Sequence, residues 1–274
     1  MHQAWTKAVP RLCFSETGNG PPVIFLHGIG GNRTNWFGQQ EFLGKYCTTI
    51  SWDARGYGLS DDYSGPLDFG DFSHDLYKLI KEKGIERAHL VGLSMGARIL
   101  MDFYLKYPAS VATLVLCDCY FSFENGLTDD KKEEFIRLRQ SPLEKGKTFA
   151  DIAPSIIDSL VGEDCSTQAK DQLFDSLMQL RKESYLKTLR ASVTFDVEGQ
   201  LSDFLVPVQL IYGQQDKLTP PSLGYFLASR MPQARVDVIP GAGHVSNLEK
   251  PDSFNKVLKS FILDHLDDAC YVRT

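Results

Sequence analysis

A chain of 274 residues, 43% hydrophobic and 23% charged, is long enough for one large core with a sizeable insertion and too apolar for disorder. Its 22 Gly and 13 Pro follow no collagen repeat, and six scattered cysteines with no CxxC pair exclude a disulfide scaffold and leave reduced, mostly buried thiols as the expectation. Twenty-nine Lys and Arg against 35 Asp and Glu give a net charge of −6 with no long basic block, so nucleic acid is not an expected partner.

The opening residues, MHQAWTKAVPRLCF, lack the apolar core of a secretory signal, and no stretch approaches the ~18 apolar residues of a membrane span. That pattern predicts a cytoplasmic protein with no membrane partner. Short apolar runs at 23–27 and 48–53 read as strands, and 72–83 reads as a helix. A strand at 88–93 passes directly into a helix at 95–107, and another strand is expected at 111–118. After a long interval, strands at 208–213 and 236–240 alternate with helices at 221–229 and 251–266. Short apolar runs ending in Gly, Asp or Ser, alternating with helices, predict a doubly wound, mostly parallel α/β sheet.

The interval from 121 to 196 breaks the alternation, with no convincing strand and with apolar residues at helical spacing. It predicts a helical cap, or lid, inserted into a core made of 1–120 and 197–274. Leu173, Leu177 and Leu180, with Phe174 and Met178 beside them, form an apolar stripe read as packing rather than a cofactor box.

Gly92-Leu93-Ser94-Met95-Gly96 sits between the expected strand and helix, the context in which G-x-S-x-G carries chemistry. A strand that turns at once into a helix crowds the backbone around its central residue, so small residues are needed two positions before and after it. Ser94 is then the candidate nucleophile, exposed beside a helix N-terminus. A serine hydroxyl is a poor nucleophile at neutral pH and needs a base, which in turn needs an orienting carboxylate. Asp216 ends the turn after the 208–213 strand, and His244 lies in the Gly-rich turn after the 236–240 strand. Asp118, at the end of the 111–118 strand, is a competing carboxylate.

Two backbone N–H groups should meet the oxyanion, that of Met95 after the nucleophile and that of Ile29 in the His27-Gly28-Ile29-Gly30-Gly31 loop. His27 is read as positioning this loop. A dinucleotide reading of Gly28-x-Gly30 fails because Arg33 stands where the third glycine is required, and Gly56-x-Gly58 fails likewise at Asp61. No cofactor and no metal are expected.

On these residues the chain resembles the α/β-hydrolase superfamily from about 10 to 266, most clearly its lid-bearing bacterial esterase and lactonase branch. HGIGG, DARGYGLSD, GIERAHLVGLSMG, GQQDKLTPP and GHVSNLEKPDSF are similar to the corresponding segments of 3-oxoadipate enol-lactonases. The resemblance implies Ser94, Asp216 and His244 as a catalytic triad, Ile29 and Met95 as oxyanion donors, and a small-molecule ester or lactone as substrate. Ala97 and Arg98 depart from the lactonase pattern, and the 121–196 interval matches no lactonase motif. An anionic substrate would want an Arg in reach, which makes Arg98 and Arg33 candidate contacts, with Trp36 and Tyr120 as candidate apolar wall.

Two other readings use the same fold. A carbon–carbon bond hydrolase of ring-cleavage diketones shares the triad, but those relatives more often place Asn before the serine and Gly-Pro-Gly in the oxyanion loop, where Leu93 and Gly28-Ile29-Gly30-Gly31 stand here. A slow-turnover ligand receptor is the third, since fold does not fix function. Neither the oligomeric state nor the substrate is legible in the sequence.

Overall fold

The computed structural model describes residues 1–122 and 129–272. Two antiparallel strands, β1 (His2–Trp5) and β2 (Cys13–Thr17), open the chain and form one edge of the sheet. The parallel body follows as β3 (Pro22–Leu26), α1 (Phe37–Leu43), β4 (Thr48–Trp52), α2 (Gly70–Glu82), β5 (Ile85–Leu93), α3 (Met95–Lys106) and β6 (Val111–Cys117). Four helices come next: α4 (Asp129–Glu144), α5 (Phe149–Leu160), α6 (Thr167–Met178) and α7 (Lys182–Ser192). The chain then returns to the sheet with β7 (Val208–Gly213), α8 (Pro221–Arg230), β8 (Ala234–Ile239), α9 (Ser246–Glu249), α10 (Pro251–Asp264) and β9 (Cys270–Tyr271).

Among the described residues the strand order is β1-β2-β4-β3-β5-β6-β7-β8, parallel from β4 onward, with β9 paired to β5. Every residue of β3, β6 and β7 is buried, which is why these strands read as continuous apolar runs. Successive side chains face opposite layers. Ile24 and Leu26 of β3 join the layer of Phe72, Leu76 and Phe103 from α2 and α3. Val23 and Phe25 join the layer of Phe254, Leu258 and Phe261 from α10.

The predicted strands and helices are present, with ends shifted by a few residues. β1 and β2 have no counterpart in the sequence expectations. β1 is four residues long and mostly exposed, so it carries no alternating pattern. Its place in the sheet comes from antiparallel pairing with the next strand, Trp5 lying opposite Cys13. α1, of sequence FGQQEFL, is equally weak as a pattern.

The four helices α4 to α7 lie between β6 and β7, and their base is drawn together by an antiparallel bridge between Ser122 and Asp196. The Val197 N–H also donates to the Phe121 carbonyl at 3.1 Å. Leu173 and Leu177 of α6 are buried, whereas Phe174 and Met178 are each 37% exposed, so the apolar stripe is narrower than its sequence suggests. Leu180 lies past the end of α6, partly buried against neighbouring core residues. Among the described residues no helix is long and apolar enough to cross a membrane.

Candidate active site

β5 ends at Leu93 and α3 begins at Met95, so Ser94 alone makes the turn, with φ 53° and ψ −110°. A positive φ is costly for a residue with a Cβ, of order 1–3 kcal/mol, and persists only where the surroundings enforce it. Here the Ser94 N–H donates to the Cys117 carbonyl at 2.8 Å, tying the turn to the end of β6. A Cβ on Gly92 would lie 2.5 Å from the Ala97 amide nitrogen, and one on Gly96 would run into the Leu26 carbonyl. The small residues are therefore required by close backbone approach.

The turn after β7 carries Asp216, and the one after β8 carries His244. His244 Nδ1 lies 2.8 Å from Asp216 Oδ2, with both side chains buried. Asp216 is held by its own turn: Oδ1 accepts the N–H groups of Leu218 and Thr219 at 2.8 and 3.0 Å, and Oδ2 accepts the Thr219 hydroxyl at 2.5 Å. Burial alone would raise the Asp216 pKa, but the hydrogen bond and charge of His244, with Thr219, hold it below the usual value. Burial likewise pulls on His244 in the downward direction, and Asp216, helped by the charge of Asp118, outweighs it and keeps the imidazole pKa raised.

Asp118 stands beside this pair but is bonded elsewhere. Its Oδ1 accepts the Gly213 N–H at 2.7 Å and its Oδ2 accepts the Ser246 hydroxyl at 2.6 Å. Burial, then the charge of Asp216, push the Asp118 carboxyl up to about 8. The Ser246 bond also locates the histidine loop: it brings residues 244–246 over the end of β6, the strand next to β5, which leads into Ser94.

The second loop at this edge follows β3. The Gly31 N–H donates to the Gly28 carbonyl at 3.1 Å and Gly30 has φ 88°, a turn that places Ile29 and Gly30 at its centre. A Cβ on Gly28 would lie 3.3 Å from Ser94 Cβ, so this loop rests against the serine. His27 Nε2 accepts the Ala54 N–H at 3.1 Å, which puts its proton on Nδ1, where it donates to the Gly28 carbonyl at 2.8 Å. Burial lowers the His27 pKa, and the neutral ring braces the loop. Met95 opens α3, where N–H groups have no intrahelical partner. From above, α6 covers the loop: Asn35 Nδ2 donates to Ser176 Oγ at 2.8 Å, and Leu177 stands over Gly30.

Two expected substrate contacts are placed in the packing instead. Arg33 is buried with its guanidinium 2.6 Å from Asp53, and it also donates to Ser15 Oγ and Gln3 Oε1, so it ties the loop to the sheet. Trp36 is fully buried between Phe25 and Phe254, at ring distances of 5.1 and 6.0 Å. Arg98 and Tyr120 do come together, with the guanidinium 4.5 Å from the Tyr120 ring centre. Arg98 also donates to the Ser192 carbonyl at 3.1 Å and lies against the rings of Phe69 and Phe195. Thr219, Ser246 and Glu249 were not singled out in the sequence. Thr219 follows Asp216 by three residues, a spacing that favours a side-chain turn, whereas nothing local marks the other two.

A family model described as alpha/beta hydrolase fold matches residues 21–251. "Putative carbamate hydrolase RutD" of Escherichia coli is 27% identical over 265 residues, covering 92% of this chain and 94% of that protein. An esterase from Thermogutta terrifontis superposes with a TM-score of 0.88 at 26% identity, covering 97% of this chain and all of that one. The enol-lactonase from Burkholderia xenovorans LB400 shares the fold, with a TM-score of 0.84 at 21% identity over 95% of this chain and 100% of that one.

Proposed function

Since the chain belongs to the alpha/beta hydrolase fold family, we propose that it is a serine hydrolase that cleaves a carboxylic ester or lactone without a cofactor. The observation that carries this reading is the buried His244–Asp216 pair at 2.8 Å, delivered to the sheet edge that presents Ser94. Asp216 occupies Nδ1, which leaves Nε2 as the ring nitrogen that takes a proton from the serine.

In the first half-reaction Ser94 Oγ attacks the carbonyl carbon while its proton passes to His244 Nε2. The tetrahedral oxyanion accepts from the N–H groups of Ile29 and Met95, each such donor contributing roughly 3–4 kcal/mol. Collapse breaks the bond to the leaving oxygen, which takes the proton from His244. A lactone ring opens at this step and keeps its new hydroxyl tethered to the acyl group. Water then gives a proton to His244 and attacks the ester of Ser94, releasing the acid and restoring the serine. Asp216 stays ionised throughout and stabilises the imidazolium.

The helices α4 to α7 are assigned as the lid of this site, with Arg98 and Tyr120 at its floor. The test is turnover of simple lactones and aryl esters by the protein and by Ser94→Ala. Hydrolysis reduced by about 10⁴-fold or more in the variant is the expected result. Turnover retained in Ser94→Ala contradicts the mechanism, and binding without turnover in both moves the reading to a receptor.

A further inference from the structure

Glu249, at the end of α9, is 6% exposed, and its carboxylate points at backbone amides on both sides of His244. Oε1 accepts the N–H groups of Gly243 and Val245 at 2.9 and 3.3 Å. Oε2 accepts the N–H of Gly162, in the connection between α5 and α6, at 2.7 Å. The remaining amide of the stretch, that of His244 itself, donates to the Leu160 carbonyl at 2.6 Å. Residues 243–245 are thus fixed by one carboxylate and by the helical insertion.

The two backbones meet with no room for a side chain. A Cβ on Gly243 would lie 2.5 Å from both the Gly162 nitrogen and the Leu160 carbonyl oxygen. A Cβ on Gly162 would lie 2.7 Å from Gln215 Oε1 and 3.1 Å from the Gly243 nitrogen. Gln215 Oε1 in turn accepts the Glu163 N–H at 2.7 Å, one residue before Asp216. The loops of Asp216 and His244 are therefore stitched to the same stretch of the insertion, residues 160–163.

We propose that Glu249 is a positioning residue for His244, and that by binding Gly162 it makes the imidazole's alignment depend on the seating of the α5–α6 connection. Only an ionised carboxylate presents acceptors to all three N–H groups, and such charge-assisted bonds are about twice as strong as neutral ones. An amide in its place turns one acceptor into a donor facing a donor. The proposal rests on the hydrolase reading for its catalytic consequence, and its geometric part does not.

The test compares Glu249→Gln and Gly162→Ala with the parent protein by two readouts. The first is the His244 imidazole resonance, assigned by its loss in His244→Gln and followed through a pH titration with no substrate present. The expected result in each folded variant is a titration shifted from the parent's raised value, with a weakened Nδ1 proton signal. The second is steady-state kinetics, where kcat falls about 10- to 100-fold with KM within about twofold, as for a small misplacement of a catalytic group. A lowered melting temperature with an unchanged His244 titration and unchanged kcat overturns the proposal and leaves a purely structural glutamate. If Glu249→Gln does not fold, Gly162→Ala decides from the insertion side. If the parent protein has no esterase or lactonase activity, the hydrolase reading fails, while the His244 titration still decides the role of Glu249.

Discussion

His244 sits under opposing influences, burial drawing its pKa down and Asp216 raising it, and the net direction sets a pH profile. In the proposed mechanism His244 must be neutral to take the serine proton, so kcat/KM is expected to fall as pH drops through a midpoint above the ordinary 6.5 of histidine. In Asp216→Asn the raising partner is gone and burial remains, so the midpoint should move to lower pH while kcat drops roughly 10⁴-fold. A pH–rate profile of both proteins checks the two effects together. Asp118 bears on stability rather than on rate. Its pKa is raised from 3.8 to about 8, so ionising it costs the folded state, and stability attributable to it declines as pH rises through that interval. Asp118→Asn should flatten the stability profile over that range, measured by denaturant unfolding at a series of pH values. Asp53 is simpler: Arg33 is buried against it at 2.6 Å, and Asp53→Ala leaves that cation unmatched. A loss of about 3–5 kcal/mol in unfolding free energy is expected.

At the scale of elements, legibility followed burial. The strands β3, β6 and β7 are covered on both faces, and their sequences are apolar except for Thr113 and Gln209, so they could be read directly. β1 is mostly exposed and pairs only with its neighbour β2, so its sequence carries no apolar run or alternation to read. The turn at Ser94 was legible because sterics dictate composition there: Gly92 and Gly96 each approach backbone that leaves no space for a Cβ. Gly96→Ala forces a methyl against the Leu26 carbonyl, and overpacking of this kind costs about 1–3 kcal/mol. Chemical denaturation should show that loss, together with reduced activity from a displaced Ser94. An alanine accommodated without loss would mean that the glycines are not there for close approach.

Across the whole molecule, the sheet brings together three loops whose order in the chain was informative and whose contacts were not. Ser94, Asp216 and His244 each lie in the turn that follows a strand recognisable in the sequence, which is what made them candidates. The packing of Arg33 and Trp36 could not be read, since a residue near the loop after β3 can turn either to a pocket or to the sheet, and here Asp53, Phe25 and Phe254 draw both inward. The ties of Glu249 to Gly162 and of Leu160 to His244 span the insertion and the core, and appear only when the chain is folded. The central claim is an activated serine at residue 94, and it is tested most directly by intact mass and peptide mapping after treatment with a fluorophosphonate. One stoichiometric adduct on Ser94 of the parent protein, absent from both Ser94→Ala and heat-unfolded protein, is the predicted result. An unmodified Ser94 in folded protein, with His244 and Asp216 intact, would contradict it.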